Sequence, residues 1–265
     1  MAKTALITGA TSGIGAAFAR ELAKQSYNLG LVGRRTALLQ ALADELAAKH
    51  GIQAEAIHAD LATEAGQILT AEWILAHAPL DLLINNAGFG IPGGFVVVPV
   101  EEHLSMLAVH ADTTVRLTHA ALPGMLAAGR GAIINVSSPA AYLPLPGNAM
   151  YAGTKAFLNI FSEALRAELR GTGIIIQALL PGFTYSDFHK RGEYAKQDFY
   201  NTLPSWMWMT SEAVAQTSLR ALERGKLDCI PGLHNRIMVF LARVGLAGLL
   251  LNSALLKKKY WTKKK

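Results

Sequence analysis

Tyr151 and Lys155 stand four residues apart in a helix-patterned stretch, a spacing that puts both side chains on one helical face. A phenol titrates near about 10 and is a poor acid at neutral pH. A neighbouring ammonium favours the phenolate and makes such a tyrosine a usable proton donor or acceptor. The same spacing also serves ordinary helix packing, so the pair alone leaves a structural role open. A second group, Thr8-Gly9-Ala10-Thr11-Ser12-Gly13-Ile14-Gly15, has three glycines that let backbone turn sharply and approach a pyrophosphate at the N-terminus of the next helix. A merely tight turn is the plain alternative. The third group is Gly33-Arg34-Arg35, after the apolar run Leu29–Val32. An acidic residue there accepts from a free ribose 2′-hydroxyl, whereas arginine suits a 2′-phosphate. With no Asp or Glu present and two guanidiniums at hand, NADP(H) is read over NAD(H). Solvated loop charges are the alternative, more readily for Arg35 than for Arg34. Asp60, after the next run, reads either as an adenine partner or as a solvated loop residue.

The elements that must position these groups alternate in type. Apolar, β-prone runs at Thr4–Thr8, Leu29–Val32, Ala54–His58, Leu80–Ile84, Ala132–Val136 and Ile174–Leu180 are separated by helix-like stretches. The helices are expected at Gly15–Gln25, at Thr36–Lys49 with Thr36 as N-cap, at Glu64–His77, over 101–127 and at Tyr151–Leu169. Strands alternating with long helices predict an α/β fold with a doubly wound parallel sheet, Rossmann-like, of about seven strands in a single domain. In such sheets ligands bind beyond the carboxyl ends of the strands. Gly9–Gly15, Gly33–Arg35, Asp60, Asn85–Gly88, Ser137–Ser138 and Pro181–Thr184 each follow a strand. The expected organisation is a catalytic domain over 1–233, with a lid segment at about 183–210, and an apolar and basic extension over 234–265.

Thr8-Gly-x-x-x-Gly-Ile-Gly15, Asn85-Asn86-Ala87-Gly88, Ser138 thirteen residues before Tyr151, Tyr151-x-x-x-Lys155 and Pro181-Gly182 occur in that order. Together they resemble the short-chain dehydrogenase/reductase family in its compact single-domain branch, closely from Lys3 to Thr184 and loosely beyond. The resemblance implies that Tyr151 is the general acid when a carbonyl is reduced and the base when an alcohol is oxidised. It implies that Ser138 polarises the substrate oxygen while Ser137 supports the strand end, and that Lys155 contacts the nicotinamide ribose and depresses the tyrosine pKa. It further implies that Gly9, Ser12, Gly13, Ile14 and Gly15 line the phosphates, with Arg34 and Arg35 near the 2′-phosphate and Asp60 and Leu61 near the adenine. Asn86, Ala87 and Gly88 pack beside the adenosine half, and Pro181, Gly182 and Thr184 hold the nicotinamide. One position departs from the pattern: His110 stands where many members carry an asparagine that anchors a water of the proton relay. A neutral imidazole donates and accepts, so His110 is either a relay surrogate or a structural residue. Homodimers or homotetramers are usual for such relatives.

The 265 residues are 51% hydrophobic and 17% charged, which supports a sizeable core and argues against disorder. A lone cysteine, Cys229, excludes an internal disulfide framework, suits a reducing compartment and reads as a packed small hydrophobe. No His/Cys spacing suggests a metal. The net charge of +6 sits entirely in Lys257–Lys259 and Lys263–Lys265, and without them 19 basic residues face 19 acidic ones. The neutral body argues against nucleic acid. The first residues hold no apolar signal core, so a cytoplasmic protein is expected. Phe183–Thr210 carries Phe183, Tyr185, Phe188, Tyr194, Phe199, Tyr200, Trp206, Met207, Trp208 and Met209. They point to a small apolar carbonyl or alcohol substrate, or else cap the core or a subunit contact. The charge-free stretch Val244–Leu256, 13 residues, is shorter than the roughly 20 that span a bilayer. Residues 234–265 therefore suit either peripheral contact with an anionic membrane or a subunit interface. Two functions follow: an NADP(H)-dependent oxidoreductase for an apolar carbonyl/alcohol pair, or a non-catalytic NADP-binding sensor or scaffold, which His110 and the lysines motivate.

Overall fold

The computed structural model describes residues 2–143, 145–190 and 204–246. Its strands are β1 (Thr4–Thr8), β2 (Asn28–Gly33), β3 (Ala54–His58), β4 (Leu82–Asn85), β5 (Gly131–Val136), β6 (Ile174–Leu179), β7 (Thr184–Tyr185), β8 (Met209–Thr210) and β9 (Asp228–Cys229). Seven of them form one parallel sheet in the order β3-β2-β1-β4-β5-β6-β9, and β7 pairs with β8 apart from it. The seventh strand of the main sheet is β9, whose two residues pair with Ala178 and Leu179.

Side chains alternate across this sheet with the strand period of two. Ala5 and Ile7 enter one core and Leu6 the opposite one. On the first face lie helices α1 (Gly13–Lys24), α2 (Thr36–His50) and α7 (Ser211–Glu223). On the second lie α3 (Glu64–Ala76), α5 (Thr113–Ala128) and α6 (Ala149–Glu168). Two further helices, α4 (Val100–Leu107) and α8 (Leu233–Arg243), complete the set among the described residues. The order reverses between β1 and β4, which opens a crevice at their carboxyl ends, the place where such sheets bind ligands.

Two local expectations are corrected. Thr36 is the first helical residue of α2, and Arg35 occupies the N-cap without a side-chain cap bond. The long helix expected over 101–127 is not continuous: a π-helical turn at Ala108–Asp112 joins α4 to α5. Thr113 Oγ1 donates to the Ala108 carbonyl at 3.0 Å, and Thr114 Oγ1 donates to the His110 carbonyl at 2.8 Å. These hydroxyls satisfy carbonyls that a widened turn spaces poorly for the ordinary ladder.

Candidate active site

The glycine loop sits where β1 runs into α1. Gly9 and Gly13 have φ of +68° and +58°, the left-handed region that a Cβ makes costly. A Cβ on Gly9 would also lie 3.0 Å from Ala87 Cα. Asn86 braces the loop from behind, donating its Nδ2 to the Thr8 carbonyl at 2.8 Å, while Thr8 Oγ1 accepts the Asn86 and Ala87 backbone N–H groups. At the start of α1, Ser12 is the N-cap yet makes no side-chain cap bond, and Ile14 packs against the core. The first backbone N–H groups of α1 thus have no side-chain partner and face the crevice end of the helix, an arrangement suited to an anion.

Arg35 is not a solvated loop charge. Its guanidinium donates to Thr11 Oγ1 at 2.8 Å, to Ser12 Oγ at 2.8 Å and to Asp187 Oδ2 at 3.0 Å. Arg34 is the more exposed arginine and stands 3.8 Å from Asp60 Oδ2. Asp60 Oδ1 accepts the Ala62 N–H at 3.0 Å, which turns the chain after β3. The next residue, Leu61, is buried, and its carbonyl accepts from Gln67 and Thr113. Both ends of this rim of the crevice are therefore fixed by bonds within the chain.

Beyond β5 lies the group formed by Ser138, Tyr151 and Lys155. Lys155 is buried, and its Nζ donates to the Val136 carbonyl at 2.8 Å and lies 5.7 Å from the centre of the Tyr151 ring. Burial lowers the lysine pKa from 10.5 to about 7, because an ammonium loses its hydration there. Ser137 Oγ donates to the Lys155 carbonyl at 2.8 Å, which ties the end of β5 to α6. Ser138 is half-buried and opens a 3-10 turn at Pro139–Tyr142, where its Oγ accepts the Ala140 N–H at 3.1 Å.

His110 lies on the π-helical turn and is 1% exposed. Its Nε2 accepts the Phe89 backbone N–H at 3.1 Å, so the ring proton belongs on Nδ1, which is 2.8 Å from Thr154 Oγ1. Thr154 in turn donates to the Tyr151 carbonyl at 3.0 Å. Burial first, and then the Lys155 charge, hold the imidazole pKa well below its ordinary value. The ring packs edge-on to Tyr151 with centroids 5.9 Å apart. Gly88 permits this approach, since a Cβ there would sit 2.8 Å from His110 Nε2. Thr154 joins His110 to the Tyr151 backbone, a link that the motif spacing does not mark.

On the opposite wall, Pro181 and Thr184 are buried, and Thr184 Oγ1 donates to the Gly182 carbonyl at 2.9 Å. The aromatic segment divides. Trp208 is buried and stacks on Tyr185 at 5.0 Å, while Phe188 faces Tyr151 at 5.8 Å. Trp206 is exposed. Tyr194, Phe199 and Tyr200 lie outside the described residues, as does 247–265. Cys229 is buried in β9, and burial raises its thiol pKa to about 11. Among the described residues there is no group of three or more His, Cys, Asp or Glu able to hold a metal ion.

The short chain dehydrogenase family profile matches residues 3–196. A very-long-chain 3-oxoacyl-CoA reductase of Coprinopsis cinerea is 38% identical over 189 residues, covering 70% of this chain and 56% of that relative, so the chain spans little more than half the length of that relative. A short-chain dehydrogenase from Sphingobium yanoikuyae, solved in complex with NADPH, superposes with a TM-score of 0.82 at 32% identity, covering 97% of this chain and 98% of the other. A bulky-bulky ketone specific alcohol dehydrogenase from Comamonas testosteroni gives a TM-score of 0.79 at 31% identity over 93% and 94% of the two chains. With the glycine loop, the Ser-Tyr-Lys group and the sheet order all in place, this chain belongs to the short-chain dehydrogenase/reductase family.

Proposed function

We propose that the protein is an NADP(H)-dependent oxidoreductase that interconverts a carbonyl and a secondary alcohol on an apolar substrate, with Tyr151 as general acid and base. The observation that carries this reading is Lys155, an amine buried beside the Tyr151 ring at the carboxyl end of β5. Its pKa near 7 lets it hold or yield a proton under neutral conditions.

The residues present fit the dinucleotide. The Gly9–Gly15 cradle and the start of α1 would take the pyrophosphate. Arg34 and Arg35 would take the 2′-phosphate, and Asp60 and Leu61 would border the adenine. Asn86 to Gly88 would lie along the adenosine half, and Pro181, Gly182 and Thr184 along the nicotinamide. The bound cofactor supplies the hydride. Tyr151 donates its phenolic proton to the developing alkoxide in reduction and takes it back in oxidation. Protonated Lys155 favours the phenolate that results. Ala140 occupies one lone pair of Ser138 Oγ, and the hydroxyl hydrogen is given to the substrate oxygen. His110 acts as a positioning residue, because both ring nitrogens are engaged within the chain and its bonds run to the backbone that carries Tyr151.

An apolar substrate is supported by Phe188 beside Tyr151. The Coprinopsis relative, named for very-long-chain 3-oxoacyl-CoA, and the Comamonas neighbour, named for bulky-bulky ketones, point the same way. A homodimer or homotetramer is supported by exposed apolar side chains on α4, α5 and α6, among them Leu104, Val115 and Ile160. The test is NADPH consumption across a panel of ketones with large apolar arms, followed by the absorbance of the reduced cofactor. Tyr151→Phe should remove nearly all turnover and leave NADPH binding intact. A chain that binds NADPH but reduces no member of the panel would be a sensor or scaffold, and substantial turnover by Tyr151→Phe would refute the assigned acid.

A further inference from the structure

We propose that α8 is a strut setting the spacing between the two walls of the candidate site, with Asn235 and Arg243 as positioning residues at its ends, a role that rests on the functional reading above. In that reading Gly182 borders the nicotinamide and Ser138 meets the substrate oxygen. The two walls follow neighbouring strands. Ser138 lies beyond β5 and Gly182 beyond β6, which pair in parallel up to Val136 and Leu179, and the Ser137 N–H donates to the Leu179 carbonyl at 2.7 Å. α8 begins just after β9, the next strand of the same sheet. At 100° per residue Asn235, Val239 and Arg243 fall within about 80° of one another and share a face. Asn235 and Val239 are both 1% exposed, so this face looks inward. With a rise of about 1.5 Å per residue, roughly 12 Å of helix separates Asn235 from Arg243.

At the first end, the amide of Asn235 fills the place of a side chain at Gly182. A Cβ on Gly182 would overlap Oδ1 and Nδ2 of Asn235, so it is this packing that calls for glycine there. The amide is itself held, because Nδ2 donates to the Pro231 carbonyl at 2.7 Å and lies 3.9 Å from Met209 Sδ. The Met209 N–H donates to the Phe183 carbonyl at 2.9 Å, which ties the residue after Gly182 to the same cluster. At the second end, Arg243 donates to Tyr142 Oη at 2.7 Å, with its guanidinium 4.6 Å from the centre of that ring. Tyr142 closes the 3-10 turn that Ser138 opens, and within that turn the Ala141 N–H donates to the Ser138 carbonyl at 3.1 Å. Arg243 also lies 3.5 Å from Asp228 Oδ2, while Asp228 Oδ1 pairs at 3.1 Å with Arg166 of α6, the helix that carries Tyr151 and Lys155. α8 therefore touches both walls. A helix holds such spacings better than a loop does, and a displacement of about 1 Å at a reacting centre costs up to about a hundredfold in rate.

The test uses the full chain and two nucleotides, NADPH and adenosine 2′,5′-bisphosphate, which lacks the nicotinamide half. Asn235→Ala empties the space behind Gly182 and should weaken NADPH binding at least about tenfold, while the bisphosphate binds as it does to the wild type, both read by titration calorimetry. Gly182→Ala should show the same selective loss. Adding Asn235→Ala to it should restore NADPH binding, since the new methyl then takes the vacated space. At the other end, Arg243→Leu should lower kcat for ketone reduction at least about tenfold with the KM for NADPH unchanged, and Arg243→Lys should recover part of it. A role in stability alone would lower Tm without separating the two nucleotides, or kcat from KM. Should Asn235→Ala unfold, Asn235→Leu keeps the bulk, crowds Gly182 with a tetrahedral branch and carries the same comparison. Wild-type NADPH affinity in Asn235→Ala, an equal loss for both nucleotides, a double variant no better than Gly182→Ala, or an unchanged kcat in Arg243→Leu would overturn the proposal. A wild type that binds NADPH but reduces no ketone would defeat the functional reading instead, and the nucleotide comparison would still decide the role of Asn235.

Discussion

Lys155→Met is expected to give a cofactor-free protein that is more stable than the wild type at pH 7 and inactive. The buried amine has a pKa of about 7 against 10.5 when solvated. Because the folded value is the lower one, the unfolded chain holds more protons between those pH values, and wild-type stability rises with pH across that window. At about 1.36 kcal/mol per unit, the titration costs the fold roughly 4 kcal/mol at pH 7 and roughly 2 kcal/mol at pH 9. Methionine fills the same volume without the ionisable group, but it leaves the Val136 carbonyl without the 2.8 Å bond, a loss of about 1–2 kcal/mol. The variant should therefore lead by about 2–3 kcal/mol at pH 7 and fall close to parity by pH 9. Urea unfolding of both proteins, without nucleotide, measures the gap directly. A variant that is less stable at pH 7, or a gap that fails to narrow as pH rises, would refute the idea that burial sets the lysine's proton affinity.

Three further expectations concern His110, Thr154 and Arg34. His110 is buried with its pKa held well below the ordinary value, so wild-type stability should fall as pH drops below about 6.5, where the unfolded imidazole charges, and His110→Gln should lose that acid sensitivity in the same urea series. Thr154→Val strands the His110 Nδ1–H and should cost about 1–3 kcal/mol of stability. It should also shift the pH profile of kcat, with Thr154→Ser restoring both; rescue of stability without the profile would leave Thr154 with packing alone. Arg34→Ala should weaken NADPH binding by about tenfold or more while leaving NADH binding unchanged, as read by titration calorimetry, and an equal loss for both nucleotides would separate Arg34 from the 2′-phosphate.

Six strands of the sheet are legible because each is an apolar run closed by a turn, and the glycine loop is legible because its residue types serve few other purposes. β9 is not, since two residues carry no period. The π-helical turn at His110 is hidden for a related reason: Val109 to Thr113 reads as ordinary helix, and the widening depends on threonine hydroxyls that bond back five and four residues. The tautomer of His110 depends on Phe89 and Thr154, 21 and 44 residues distant. A solvated loop charge is the readier reading for Arg35 than for Arg34 in sequence, because its carboxylate partner lies 152 residues further on. Composition likewise groups Trp206 with Trp208, and only packing separates the exposed ring from the one stacked on Tyr185.

The bridge made by Arg35 has a consequence for anyone redesigning the enzyme. One guanidinium holds the hydroxyls of the glycine loop and Asp187 together, and Phe188, next in sequence, flanks Tyr151. Exchanging Arg35 to change nucleotide preference is therefore expected to loosen the segment beside Tyr151 at the same time. Under the proposed function, nucleotide choice and substrate fit would be mechanically yoked through these contacts. Libraries that vary positions 35 and 187 jointly will recover switched variants that single substitutions at 35 miss.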